Sequence, residues 1–160
     1  MNMTCFESKI ASNSNYCRAL ITKLRPDAQI PTAGSAQAAG YDLYACMPSE
    51  RIIPPGGTVM IGTGLSIAPT PGYFGAVFAR SGWATKRGLR PANCVGVCDE
   101  DYRGEYMVAL HNDSPDEQII HPGDRIAQLV FLPYMKVDFQ EVDSLDSTDR
   151  GAGGFGSTGK

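Results

Sequence analysis

The stretch TVMIGTGLSIAPTPGYFGAVF, residues 58–78, decides the fold class. Val59 and Ile61, then Leu65 and Ile67, recur at every second position, with Met60 inside the first pair and Ser66 inside the second. That period of two puts one side of an extended chain in a core and the other outside, whereas a helix would need apolar residues every three to four positions. The segment Pro69-Thr70-Pro71-Gly72 then turns the chain, and GYFGAVFA begins another run of strand length.

Working outward, the same texture repeats. CRALITKL, AAGYDLYA and RIIPP precede this stretch; EYMVALHN, QIIHPG, RIAQLVFLP and KVDFQEV follow it. PPGG at 54–57 and HPGD at 121–124 mark further turns. Many short strands with Gly/Pro punctuation predict an all-β sandwich or barrel. One segment breaks the pattern: residues 81–88, SGWATKRG, predict one or two helical turns with Ser81 near the start and Gly88 as the stop. Residues 1–15 are polar and aperiodic and read as a flexible leader, 16–143 as the β domain, and 144–160 as a flexible Gly-rich arm.

At 160 residues, the chain suits one domain with a full core. Its 42% apolar and 19% charged residues are ordinary for a globular protein. No apolar run reaches spanning length, and residues 1–15 lack the apolar stretch of a signal peptide, so neither a membrane nor export is expected. Five cysteines form no disulfide framework, which points to a reducing cytoplasm. Cys94 and Cys98 with His111 and His121 complete no zinc cage. A net charge of −3 without a basic run argues against nucleic acid as a partner, though a few arginines suffice for a small polyanion.

The arm contains two formal phosphate motifs. Gly151, Gly153 and Gly156 match G-x-G-x-x-G, and Gly154, Gly159 and Lys160 match most of a P-loop. Both motifs work by presenting phosphate to a following helix, and no sequence for one follows here. What remains is Gly-rich backbone with hydroxyls at Ser157 and Thr158, able to wrap a phosphate chain.

Five blocks stand in order along the chain: Ala39–Leu43 (AGYDL), Ala79–Gly82 (ARSG), Gly96–Glu105 (GVCDEDYRGE), Arg125–Leu129 (RIAQL) and Arg150–Gly159 (RGAGGFGSTG). Together they resemble the five motifs of the trimeric dUTPase family. The resemblance implies a distorted β jelly roll with one short helix and a substrate-closing arm. It also implies a homotrimer with sites between subunits, Mg2+ as cofactor, and hydrolysis of dUTP to dUMP and pyrophosphate. By the same resemblance, Asp99 holds the attacking water and Asp42 meets the magnesium site through water. Arg80, Ser81, Gly82 and Gln128 contact phosphate, and Arg125 serves substrate or an ion pair. Asn93 and Gly96 read uracil, and Tyr102 packs under deoxyribose. Arg150, Ser157 and Thr158 reach the γ-phosphate, while Phe155 closes over the base beside Gly156.

Each residue also has a plainer reading. Asp99 suits a turn, Asp42 an exposed strand face, Ser81 a helix cap and Tyr102 a strand-edge aromatic. Cys98 departs from the aliphatic residue usual in the family, which raises loosened packing or thiol oxidation beside Asp99. Two other functions fit the fold: a dCTP deaminase, and a nucleotide-responsive binding partner of another protein.

Overall fold

A computed structural model describes residues 18–154. The expected all-β architecture is present. Its strands are β1 (Ala19–Lys23), β2 (Thr32–Ala33), β3 (Tyr41–Tyr44), β4 (Arg51–Ile53), β5 (Thr58–Gly62), β6 (Leu65–Pro69), β7 (Tyr73–Phe78), β8 (Leu89–Pro91), β9 (Val95–Cys98), β10 (Met107–Asn112), β11 (Gln118–Ile120) and β12 (Arg125–Pro133). One helix, α1 (Ser81–Arg87), lies between β7 and β8. Every pairing is antiparallel. The main sheet runs β2-β3-β12-β7-β9; β5-β10-β8 forms a second, and β1-β6 and β4-β11 form pairs. These sheets enclose one core of a distorted jelly roll, centred on Leu43, Ile53, Ile61, Leu65, Leu110, Ile126 and Leu129.

The run at 58–69 is two strands in two different sheets. β5 pairs with β10, and β6 pairs with β1. The corner is Thr63-Gly64. Thr63 is fully buried and its hydroxyl donates to the carbonyl of Tyr106 at 2.6 Å. Gly64 has φ +68, and a Cβ there would sit 2.8 Å from both Ala28 Cβ and Cys46 Sγ. Only glycine fits that backbone and that space.

Three sequence expectations need correction. KVDFQEV forms no strand: no described strand follows Pro133, and Met135, Val137 and Phe139 are exposed at 88%, 65% and 90%. An extended segment without a neighbour to bond is not a strand, whatever its pattern. Ser81 is not the cap of α1. Arg80 occupies that position, with no side-chain cap bond, and Ser81 is the first helical residue. The short β2 and β8 were not foreseen, being too brief to show a period. Gly88 does end the helix, in the left-handed conformation at φ 65.

Asn112 is the polar centre of the core. It is fully buried; its amide donates to the carbonyls of Ile53 (3.0 Å) and Asp116 (2.8 Å) and accepts from Ser114 N–H (2.9 Å) and Oγ (2.7 Å). It therefore ties the end of β4 to the turn after β10. Asn112→Ala is expected to cost about 3 kcal/mol or more, because several buried groups lose partners at once. Urea unfolding measures this, and a loss below about 1 kcal/mol would show that water replaces the amide.

Candidate functional site

The candidate residues fall into two groups on the main sheet. The first is built on the register of β12. Gln128 lies opposite Asp42 of β3 on one side and Phe78 of β7 on the other, and Phe78 lies opposite Val95 of β9. Directly opposed residues share a face, so these side chains form a row across the sheet. β7 ends at Phe78, and the chain passes through Ala79 to Arg80 at the entrance of α1.

Arg80 turns back onto that row. Its Nε donates to Asp42 Oδ1 at 2.7 Å, and Arg125 Nη1 donates to Oδ2 at 3.2 Å. The Asp42 side chain is only 14% exposed. Both of its oxygens thus face guanidinium groups, and Arg125 takes the ion-pair role that the sequence left open. Two arginines on one carboxylate leave a net positive charge and several N–H donors unspent. Gln128 Nε2 donates to the carbonyl of Ala79 at 2.8 Å, which holds its amide toward the same corner. Gly40 makes room for it, since a Cβ there would collide with Gln128 Oε1. Ser81 and Gly82, both exposed, follow at the start of α1, where their N–H groups lack helical partners. Arg87 anchors the far end of the helix: it stacks 4.5 Å over Trp83, and its guanidinium donates to Gln118 Oε1 (2.9 Å) and the carbonyl of Ile119 (2.8 Å).

The second group lies on the turn between β8 and β9, on β9 itself and on the loop after it. The turn is tight: Cys94 has φ 62, and Val95 N–H donates to the carbonyl of Asn93 at 2.6 Å. The Asn93 amide lies 3.5 Å from where a Cβ of Gly96 would stand, so the bare Gly96 backbone and the amide share one opening. Asp99 follows β9 and is exposed. Its carbonyl accepts from Tyr102 N–H at 3.1 Å, so it does begin a turn as its plainer reading held. Tyr102 is 44% exposed; its hydroxyl donates to the carbonyl of Glu105 at 3.1 Å, and its ring crosses Gly104, where any Cβ would strike it.

Glu100, assigned no role from the sequence alone, anchors the loop after β9. Its Oε2 accepts from Gly72 N–H and from the Tyr134 hydroxyl, both at 2.7 Å. Those bonds, the Gly72 bond foremost, hold its carboxyl below the usual range. Arg103 adds a bond to the carbonyl of Glu100 at 2.7 Å. The loop that carries Asp99 is therefore tied to the Pro69–Gly72 turn and to the root of the arm. The only sequence signal was that Pro71-Gly72 and the acidic run at 99–101 are both turns. A cleft of about 460 Å³ opens here, lined by Phe74, Val97, Asp99, Glu100, Asp101, Tyr134 and Lys136.

Asp99 stands apart from the first group within one chain. Val95 stands in the row with Gln128, and Asp99 lies four residues further along, about 14 Å at ~3.4 Å per residue. No residue of the first group lines the cleft at Asp99. Arg150 bonds within its own segment, donating to the carbonyl of Gly153 at 2.9 Å. Phe155, Gly156, Ser157 and Thr158 lie outside the described residues. Among the described residues, no cluster of His, Cys, Asp and Glu is placed to hold a metal ion directly.

The sequence matches the family model "dUTPase" over residues 26–159. A deoxyuridine 5'-triphosphate nucleotidohydrolase of Desulfitobacterium hafniense is 48% identical over 148 residues, covering 91% of this chain and 98% of that protein. In fold, the chain is similar to a variant dUTPase of Staphylococcus bacteriophage 80alpha solved with dUpNHpp, at a TM-score of 0.80, 24% identity and coverage of 89% and 99%. It is also similar to a variant dUTPase from phage phi11 of S. aureus, described as coordinating a structural Mg(II) ion, at a TM-score of 0.73, 21% identity and coverage of 81% and 99%. By the extent of the family match and the identity to the bacterial enzyme, this chain belongs to the dUTPase family.

Proposed function

We propose that this protein hydrolyses dUTP to dUMP and pyrophosphate, limiting uracil in DNA and supplying dUMP, with each site completed by adjoining copies of the chain. One observation supports the reading above all: Asn93, Gly96, Asp99 and Tyr102 follow one another along β9 and its flanking loops, and Asp99 lies about 14 Å along the strand from the row that carries the amide and guanidinium groups suited to phosphate. A second copy that brings its Asp42–Arg80–Gln128 corner to this segment unites base recognition, water activation and phosphate binding. The exposed apolar side chains of Met135, Phe139 and Leu145 support association, since a lone chain leaves them in water. We take the assembly to be a homotrimer.

In this assembly each residue has a task. Asn93 donates to and accepts from the uracil edge, while Gly96 lets the base approach the backbone. Tyr102 sits under the sugar and leaves no room for a 2′-hydroxyl. Asp99 orients a water toward the α-phosphorus and takes its proton. Arg80, with Ser81, Gly82 and Gln128, holds the phosphate oxygens against the charge that develops on them. Arg150, Phe155, Gly156, Ser157 and Thr158 close over the γ-phosphate and the base, excluding other water.

Mg2+ fits this corner as an indirect ligand. Both Asp42 oxygens already accept from guanidinium groups, so the carboxylate reaches a cation through water rather than directly. Magnesium keeps several waters and binds largely through substrate phosphates, where it supplies neutralising charge. Among the described residues, no helix is long and apolar enough to cross a membrane. With unpaired thiols at Cys46, Cys94 and Cys98, a cytoplasmic site of action is proposed.

Pyrophosphate release from dUTP with Mg2+, run against other nucleotides, tests the reading; ammonia release from dCTP instead would assign the chain to deamination. Asp99→Asn should bind dUTP normally and lose about 10²-fold or more in kcat; near-normal turnover removes Asp99 as the base. Arg80→Ala and Asp99→Asn chains, each inactive alone, should recover about a quarter of wild-type activity when co-assembled, because shared sites regain one intact set of each group. Absence of recovery would place the whole site in one chain. Tyr102→Ala should raise kcat/KM for UTP relative to dUTP by about 10-fold or more, and unchanged selectivity would assign that discrimination elsewhere.

A further inference from the structure

Tyr106 is not among the residues just assigned, yet it stands behind two of them. It is 1% exposed, and its hydroxyl is buried without a hydrogen-bond partner. Its backbone is clamped: its N–H donates to the carbonyl of Leu65 at 2.8 Å, and its carbonyl accepts from Thr63 Oγ1 at 2.6 Å and Thr63 N–H at 3.3 Å. Its ring centroid lies 6.1 Å from that of Tyr102. Its hydroxyl lies over Gly75, 3.1 Å from where a Cβ would stand. Gly75 is the ladder partner of Cys98, the residue before Asp99.

As the residue opposite Gly75, Cys98 presents its thiol on the face of the sheet over which this hydroxyl lies. Burial pushes the Cys98 thiol up to about 11, and Tyr106 pulls it partly back. Burial likewise raises the Tyr106 phenol, and Cys98 raises it further. Both directions fit a phenol O–H pointed at sulfur.

We propose that Tyr106 and Cys98 form a coupled positioning pair: the clamped phenol donates to the thiol and fixes the direction in which the chain leaves β9 at Asp99. A small thiol leaves room for the phenol ring. A branched apolar side chain there would both crowd the ring and leave its hydroxyl unsatisfied. Neither residue touches substrate. They act through Asp99, and the pair rests on the catalytic role proposed for that residue.

The test uses the full chain with Mg2+ and dUTP, in the wild type, Cys98→Val, Tyr106→Phe and the double variant. Cys98→Val should lower kcat about 10-fold with KM changed less than about 2-fold, since binding groups stay in place. Adding Tyr106→Phe should restore kcat to within about 3-fold of Tyr106→Phe alone, because the orphaned hydroxyl is gone. The Raman doublet of Tyr106, isolated by subtracting the matching Tyr106→Phe spectrum, should differ between the wild type and Cys98→Val. Losses that simply multiply in the double variant, or a doublet indifferent to the Cys98→Val change, would overturn the pair. If the wild type releases no pyrophosphate from dUTP, the functional reading fails separately, and the Raman comparison still decides whether phenol and thiol are coupled.

Discussion

Strand β12 bonds along both edges at once, to β3 and to β7, and its register places everything else. Ile126, Ala127 and Leu129 are buried while Gln128 points the other way. A slip of one residue would drive Gln128 into the core and put Leu129 outside. That penalty fixes Gln128 beside Asp42, and the same register fixes where β7 releases the chain into Ala79 and Arg80. The corner proposed to bind phosphate is thus a consequence of core packing, with Gly40 a position where a side chain would spoil it.

The same sheet keeps Asp99 away from that corner. β9 pairs with β7 so that Val95, not Asp99, stands in the row with Gln128. A neighbouring copy can supply what one copy lacks, and dUTP would then be held where water is excluded by protein on several sides. The segment after Pro133 fits this view: KVDFQEV has strand chemistry but no strand partner among the described residues.

Much of this was legible in the sequence. Period-two alternation and Gly/Pro turns disclosed the β class and most strands, because half-buried strands must alternate. The ordered blocks pointed to Asp42, Arg80, Asp99 and Gln128. Three things were hidden, each for a physical reason. The break at Thr63-Gly64 depends on Ala28 and Cys46, which approach from distant sequence. The double engagement of Asp42 depends on Arg80 and Arg125 converging from separate elements. Glu100 and Tyr106 act through backbone groups of Gly72 and Thr63, and no side-chain pattern announces a backbone partner.

The central claim is that the nucleotide is bound between copies. Its most direct test is a crystal structure of the protein with Mg2+ and the imido analogue of dUTP. The account predicts a water on Asp99 of one copy aimed at the α-phosphorus, with Arg80 and Gln128 of a neighbouring copy on the phosphates. An analogue held wholly by one chain, or an Asp99 remote from the α-phosphate, would contradict it.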